Sequence, residues 1–350
     1  MHMDALDQFR ARILARQALR IRGGGSKDFY GGPLSGQILD TRGYSGIVHY
    51  EPTELVMTAR CGTPLSALES ALAEHRQHLA FDPPHFGHAT LGGMVAAGLS
   101  GPTRAALGSL RDHVLGVRIM DGEGRVLKFG GEVMKNVAGF DVSRLMVGAL
   151  GTLGLILEVS LKVMPIPLTE VSLRFAMPQE EALTRMNRWA GEPWPVAASA
   201  WENGVMTIRL AGAGAAVEMA CLKLGGERLD PFSARQFWQG LREHTLDFFA
   251  GHQPIWRLSL PSIAPSVGLP EPMLIEWGGS QRWLQGDADP ILIRDLARQY
   301  GGHATLFRGS VSRHDVFTPL TTPLMQIHHR LKQRFDPHQI FNRGRLYPEF

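Results

Sequence analysis

Cysteine is nearly missing from this chain: Cys61 and Cys221 are the only two in 350 residues. They form no Cys-x-x-Cys pair, so a disulfide framework is not expected and a reducing compartment fits. Two thiolates also cannot ligate an iron–sulfur cluster that needs four. Excess charge is lacking as well. The formal net charge is +3, with 20% charged residues and no lysine or arginine run, which argues against nucleic acid as a partner. Long apolar runs are absent too. The most apolar window, 145–164, is broken by Gly148, Gly151, Gly154, Glu158 and Lys162, and reads as helix, turn and strand rather than a membrane span. No secretory leader is visible where Asp4 and Asp7 fall early. Leu6, Phe9, Ile13 and Leu14 instead predict an amphipathic helix packed on the body, with an arginine-rich transit peptide as the alternative.

Glycine, by contrast, is plentiful, with 40 residues, and two segments concentrate it. Arg22-Gly23-Gly24-Gly25-Ser26-Lys27 follows the apolar Ala18, Leu19 and Ile21. Each ordered glycine sacrifices roughly 0.5–1 kcal/mol relative to alanine, so three together ask for a reason. Successive bare N–H groups can curl around phosphate oxygens while Arg22 and Lys27 supply charge; a plain tight turn is the alternative. The loop is not a Walker A motif, because no Gly-Lys-Ser/Thr closes it. Nor is it a Rossmann fingerprint, because no long apolar helix follows. The second segment runs from Ala89-Thr90-Leu91-Gly92-Gly93-Met94 to Gly101-Pro102 and would also let backbone approach a ligand closely. Two such loops suggest one large phosphate-bearing ligand.

About two domains are expected for this length. A strand over 55–60 leads to Thr63 as N-cap, Pro64 at the first helical position, and Leu65, Leu68 and Leu72 on one helix face. Asp121-Gly122-Glu123-Gly124 closes a hairpin of 114–120 with 125–129. Asp141 caps a short helix before a strand from Leu155. Pro165-Ile166-Pro167 marks a boundary, and the strand–helix passes beyond it suit a small antiparallel sheet backed by helices. In the tail, Leu324, Ile327, Leu331 and Phe335 share one helical face that Asp336-Pro337 ends, and Arg330, Lys332 and Arg334 are compatible with a basic docking face, a solvated charge face being the alternative.

Further motifs continue in order: Ser109-Leu110-Arg111-Asp112-His113-Val114-Leu115-Gly116, Lys135-Asn136-Val137-Ala138-Gly139-Phe140-Asp141 and Gly151-Thr152-Leu153-Gly154. With the two glycine segments they resemble the FAD domain of the vanillyl-alcohol-oxidase/PCMH flavoproteins. Phe335-Asp336-Pro337 with Phe341-Asn342-Arg343-Gly344-Arg345 is similar to that family's closing Asp-Pro…Asn-Pro-Gly-Lys segment. Residues 131–139, Ile275-Glu276-Trp277-Gly278-Gly279 and Gly302-His303-Ala304-Thr305 further resemble the smaller FAD-binding subunits of bacterial glycolate oxidases.

The resemblance implies an α+β fold. A PCMH/VAO-type FAD-binding domain of two α+β subdomains would span 1–165, and a smaller antiparallel-sheet α+β cap domain 166–320. A C-terminal helix and tail, 321–350, would return to the FAD domain. It implies noncovalent FAD, because the loop carries Ser26 and Lys27 rather than a His or Cys able to reach the flavin. Arg22, Gly23, Gly24, Gly25, Ser26 and Lys27 would hold the pyrophosphate. Thr90, Gly92, Gly93 and the stretch with Ser109, Asp112 and Gly116 would line the cofactor. Backbone from Gly154 to Ile156 would meet the adenine, and Asn342 would approach the flavin side.

By the same resemblance the chain is an FAD-dependent oxidoreductase acting on the CH–OH of a 2-hydroxy acid, as one subunit of a complex that converts glycolate to glyoxylate. Its implied partners are a larger FAD-binding subunit and an iron–sulfur subunit that passes electrons toward an acceptor such as quinone. The implied location is cytoplasmic, peripheral on the inner face of the plasma membrane through the complex. Hydroxy-acid-oxidising relatives carry Gly-His-x-Gly-Asp-Gly-Asn-x-His in the cap, of which only Gly302-His303 stands here. His303 as base and Arg257 as carboxylate clamp are the catalytic candidates, beside plain structural readings of both. His85-x-x-His88 and His328-His329 read as structural, and no metal site is expected. Two other readings stay open: a free-standing FAD-dependent 2-hydroxy-acid dehydrogenase, and a noncatalytic partner with an empty flavin site.

Overall fold

Short apolar strands punctuated by glycine turns build two separate sheets in the computed structural model, which describes residues 4–131, 141–269, 272–309 and 316–349. The Lys135-to-Phe140 part of the sequence motif lies outside the described residues. The amino-terminal half forms two α+β parts. In the first, helix Ala5–Leu14 buries Phe9 and Ile13, while Leu14 at its end is left exposed. Strands Leu19–Arg22 and Gln37–Asp40 then pair in parallel. Parallel strands need a crossover, and the glycine loop leaves the end of the first strand to begin it.

The second part is a five-stranded antiparallel sheet. Its order is Ile47–Glu51, Val56–Arg60, Leu155–Lys162, Val114–Met120, Val126–Gly130. The central strand Leu155–Lys162 is buried along most of its length, as its near-continuous apolar sequence requires. The expected hairpin forms, with the Asp121 carboxylate accepting from the backbone N–H of Glu123 and Arg125 at 3.0 and 2.9 Å. Asp141 caps helix Val142–Met146 by accepting from Arg144 N–H. Thr63 does not cap its helix. Pro64 takes that position before Leu65–Glu74, because the Thr63 hydroxyl is spent on the Arg60 carbonyl at 2.7 Å and on Gly46 N–H at 2.9 Å.

Beyond Pro165 the expected antiparallel sheet is present and extends to eight strands. Their order is Glu227–Arg228, Thr169–Ala176, Val205–Gly212, Val196–Glu202, Met273–Glu276, Gln281–Gln285, Ile255–Ser259, His303–Arg308. Alternation along these strands sorts residues between two faces. One face packs on helices Gln179–Ala190, Gly214–Leu224 and Pro290–Gln299, through Leu173, Ile208, Leu258 and Leu306. The other carries Ala198, Leu274, Trp283 and Phe307 and meets Tyr30, Ala97, Leu99 and Leu150 of the amino-terminal half. The two halves therefore share one apolar seam.

Helix Thr322–Phe335 and the tail close the chain against its beginning. Lys332 and Asp336 form an ion pair at 2.8 Å, with side chains 1% and 0% exposed. Lys332 also donates to the carbonyls of Thr152 and Phe341, at 2.7 and 2.9 Å, while Asp336 accepts from the N–H of Ile340 and Phe341. Burial lowers the Lys332 pKa, although Asp336 pulls the other way. Lys332 thus belongs to the interior, not to the basic docking face expected for it. The apolar stripe is also only half covered: Phe335 is buried, whereas Leu324 and Ile327 are about half exposed. No helix among the described residues is long and apolar enough to cross a membrane.

Candidate functional site

The glycine loop and the second small-residue segment meet. A Cβ built on Gly24 would fall on the His88 carbonyl oxygen, and one on Gly23 would fall on the Thr90 hydroxyl. Gly25 has φ +74°, a left-handed conformation that side chains rarely adopt. Close approach at two positions and backbone handedness at the third account for three glycines in succession. The Thr90 hydroxyl in turn accepts from Gly93 N–H at the start of helix Leu91–Ala97.

Around this junction lies a cleft lined by Arg20 to Asp28, Thr90, Gly93, Leu150, Asn342 and Arg345. It is strongly cationic. Asp28 receives Arg20 at 2.5 Å and Arg22 at 3.0 Å. Among the described residues Lys27 donates to the His85 carbonyl at 3.1 Å and, more weakly, to Ser26. Burial lowers the Lys27 pKa to about 8, with Glu243 partly opposing. The Arg20 Nε is buried with no partner among the described residues. Arg20, Arg22, Lys27 and Arg345 thus line the cleft with one carboxylate, Asp28, and among the described residues no carboxylate contacts the Lys27 ammonium. Bare N–H groups beside surplus positive charge fit a diphosphate.

The tail braces this cleft. Asn342 Oδ1 accepts from Ile21 N–H at 2.7 Å, and its Nδ2 donates to the Leu150 carbonyl at 2.6 Å. Its own N–H donates to the Leu19 carbonyl, and Leu19 N–H donates to the Ile340 carbonyl. Arg345 donates to the carbonyls of Tyr30 and Gly32, which fixes the loop's exit. Sequence reasoning passed over Arg345, although it ends a motif that had been singled out.

The structure brings together Arg22, Gly23, Gly24, Gly25, Ser26, Lys27, Thr90, Gly93 and Asn342 in one cleft. Six other candidates fall outside its lining. The Cβ direction of Gly92 is taken by Cys61. Ser109 and Asp112 cap each other, the Asp112 carboxylate accepting from Ser109 N–H and hydroxyl, both at 2.8 Å. Gly116 faces the backbone of Gly131 within the sheet, Gly154 faces the Met120 carbonyl, and Ile156 is buried in the central strand.

Arg257 and His303 lie on neighbouring strands at the inward side of the eight-stranded sheet, where Arg257 pairs with Thr305 and Ser259 with His303. Arg257 lines a small cavity with Glu276, Gln281, Trp283, His244 and Phe307; His303 is exposed and stays outside it. Glu276 is 3% exposed and accepts from Gln281 Nε2 at 2.5 Å and Trp283 Nε1 at 2.6 Å. Burial pushes its carboxyl up to about 7. Burial, with Arg308 and Arg257 nearby, holds His244 well below the usual histidine range. Of these, Arg257 was a sequence candidate and Glu276 stood in the Ile275-to-Gly279 motif, whereas His244 and Gln281 gave no signal. His85 pairs with Glu69 at 3.0 Å, consistent with a structural role.

Residues 11–130 match the family model for an FAD binding domain. Over 345 residues the chain is 48% identical to glycolate oxidase subunit GlcE of Escherichia coli (strain K12), covering 98% of this chain and 97% of that one. It is 34% identical over 128 residues to D-lactate dehydrogenase of Anaerostipes hadrus, which is 36% of this chain and 26% of that one. Among solved structures, alkyldihydroxyacetonephosphate synthase superposes with a TM-score of 0.69 at 16% identity, over 97% of this chain and 74% of that one; this likeness concerns fold alone. The chain therefore belongs to the GlcE family of glycolate oxidase subunits, with an FAD-binding domain in its amino-terminal part.

Proposed function

We propose that this chain is the FAD-binding subunit of an assembly that oxidises glycolate to glyoxylate and hands the electrons on through an iron–sulfur subunit to an acceptor such as quinone. The observation that carries the reading is the braced cationic cleft at the meeting of the two glycine segments, on a chain alike in nearly full length to a glycolate oxidase subunit. In this reading Gly23, Gly24 and Gly25 present N–H groups to the diphosphate, while Arg20, Arg22 and Lys27 neutralise it. Thr90 and Gly93 close the opposite wall. Asn342 and Arg345 hold both edges of the loop so that little ordering remains to be done on binding.

When bound, FAD supplies the two-electron oxidation of the substrate CH–OH. In this reading attachment is noncovalent, the glycine loop carrying Ser26 and Lys27 where a histidine or cysteine would be needed. Cys61 and Cys221 cannot ligate a cluster, so onward transfer falls to a separate iron–sulfur subunit beside a larger FAD-binding one. The assembly would sit on the cytoplasmic side, reaching the membrane through those partners.

The test is purification of the chain alone and with its co-expressed partners. Expected results are a flavin spectrum released by acid from the lone chain, and co-purification with an iron–sulfur protein that lets glycolate reduce an added quinone. A chain that binds no flavin in either preparation would overturn the reading.

A further inference from the structure

An open groove of about 600 Å³ lies between one face of helix Pro231–Glu243 and the edge of the eight-stranded sheet, and none of its lining residues belongs to the cleft. Ala234, Arg235, Trp238 and Arg242 recur at three- and four-residue spacing and so line it from a single helix face. Strand Thr169–Ala176 forms the opposite side. It pairs along its whole length with Val205–Gly212, but on its other edge the two-residue strand Glu227–Arg228 covers only Leu173 and Arg174. Leu229 N–H adds one bond to the Ser172 carbonyl at 3.0 Å. Among the described residues no strand covers 169–171 on that edge, and Glu170 and Val171 line the groove. An uncovered edge is a template for a further strand.

Charge is arranged around that edge. Four arginines line the groove, Arg209, Arg228, Arg235 and Arg242, with two acids, Asp82 and Glu170. Both acids turn to Arg209, at 3.3 and 3.6 Å, longer than the roughly 2.7–2.9 Å of a charge-assisted bond. Arg209 Nε is buried with no hydrogen bond among the described residues, and its guanidinium lies 4.7 Å over the Trp238 ring. Trp238 is fixed in turn by donating Nε1–H to the Ser172 hydroxyl at 2.8 Å. Arg228 pairs with Glu218 at 3.0 Å, both side chains about half exposed. Arg242 donates Nε–H to Glu243 at 2.8 Å, a carboxylate that also accepts from Phe86 N–H at 2.8 Å. Arg235 is exposed and enters no ion pair among the described residues. Donors are thus left over on the helix side of the groove, opposite an edge that lacks its neighbour.

Two independent features describe one occupant. The open edge asks for an extended backbone, and the unspent guanidinium donors ask for carboxylates. Arg235 and Arg242 stand about 10 Å apart along the helix, and a strand presents alternate side chains to one face about every 7 Å, so acids at alternate positions can meet both. Asp82 and Glu170 in the wall disfavour a ligand that is anionic throughout, such as a polyphosphate. We infer that the groove docks an extended segment of a partner protein with acids at alternate positions, added as a strand beside Glu170 and Val171 and held through its carboxylates by Arg235 and Arg242. The inference rests on the reading of this chain as one subunit of an assembly, and it gives that assembly a contact outside the cofactor cleft.

Fluorescence anisotropy of the dye-labelled peptide Thr-Glu-Val-Glu-Val-Glu-Thr with the full chain tests this. Saturable binding is expected, weakened roughly 10–100-fold in the double variant Arg235→Glu with Arg242→Glu, the loss expected for charge-assisted hydrogen bonds. Two control peptides separate charge from strand addition. Thr-Gln-Val-Gln-Val-Gln-Thr should bind wild type as weakly as the acidic peptide binds the double variant. Thr-Glu-Glu-Glu-Val-Val-Thr has the same composition and charge but no longer keeps its acids on one face, and should also bind more weakly. No saturable binding by wild type, equal binding by the folded double variant, or equal binding of the rearranged peptide overturns the inference. So does a wild-type dimer in gel filtration that the double variant dissolves, which would assign the groove to a second copy. Co-expression separates the two ideas. A wild type that co-purifies with its partners yet ignores the peptide loses this inference and keeps the assembly reading. One that takes up the peptide through Arg235 and Arg242 but co-purifies with nothing does the reverse.

Discussion

The cleft at the glycine loop and the cavity under the eight-stranded sheet are both polar, yet they are built in opposite ways. The cleft is made largely from consecutive residues, its selectivity coming from backbone N–H groups and from cations in excess of acids. The cavity draws Arg257, Glu276, Gln281 and His244 from four separate elements, and its character comes from side-chain atoms left over once neighbours have been satisfied. The first kind of site suits a long charged ligand that can be gripped along its length. The second has room for about one water. The contrast also sets what each tolerates: the cleft fails when a Cβ intrudes, the cavity when a single amide or guanidinium is changed.

The largest effect is expected in the cleft. Gly24→Val should abolish flavin retention, because the added carbons collide with the His88 carbonyl. Gly43→Val is the matched control, since nothing lies within 4 Å of its Cβ position and its φ is not positive. Flavin per chain after gel filtration reads both, and a Gly24→Val protein with full flavin would break the placement. Next comes the brace. Asp336→Ala leaves Lys332 buried without its partner and frees two N–H groups, so a loss of about 3–5 kcal/mol is expected in chemical unfolding. Because Phe341 and Asn342 follow directly, the same variant should also release flavin more readily than wild type. An unfolding midpoint within error of wild type would show that the brace contributes little.

This difference in construction explains what the sequence revealed. The glycine segments, the Asp121 hairpin and the Asp336 stop were legible because each depends on near neighbours in the chain. Ser109 and Asp112 were read as cofactor lining, and their Ser-x-x-Asp spacing is also that of a capping box, which they form. Lys332 looked like part of a basic surface because helical spacing cannot say which side another segment will cover. His244 and Gln281 gave no signal at all. Nothing local distinguishes a lone histidine or glutamine until tertiary packing leaves one of its atoms unpaired.

The cavity can be probed through its acid. Glu276 has its carboxyl raised from 4.5 to about 7 by burial. The folded chain therefore keeps a proton there that the unfolded chain gives up. The stabilisation is fully present below the unfolded value and is lost as pH rises from about 4.5 to about 7, a change of about 3 kcal/mol. Glu276→Gln can still accept from Trp283 and Gln281 but has no proton to lose. Urea midpoints of the two proteins should converge at low pH and separate toward neutrality, with the variant the more stable. Parallel curves would mean that Glu276 titrates alike in the folded and the unfolded chain.

The smallest expected effect returns to the cleft and sharpens the charge side of the contrast. Burial leaves Lys27 with a pKa of about 8, and a bound diphosphate would favour its charged form. Above that pH the empty cleft has lost a positive charge that binding must restore by taking up a proton. FAD affinity should then fall with rising pH, approaching tenfold per unit above about pH 8 until the pKa of the bound state is reached. Lys27→Arg keeps a charge that does not titrate, so its affinity should stay level over that range. Lys27→Met should also be level, but weaker at neutral pH because the charge is gone. Fluorescence titrations of apoprotein with FAD near neutrality and about one unit above the lysine pKa would measure all three. A slope in Lys27→Met equal to that of wild type would place the titrating group elsewhere, and the cleft's affinity would then rest on its glycines and on Arg20 and Arg22 instead.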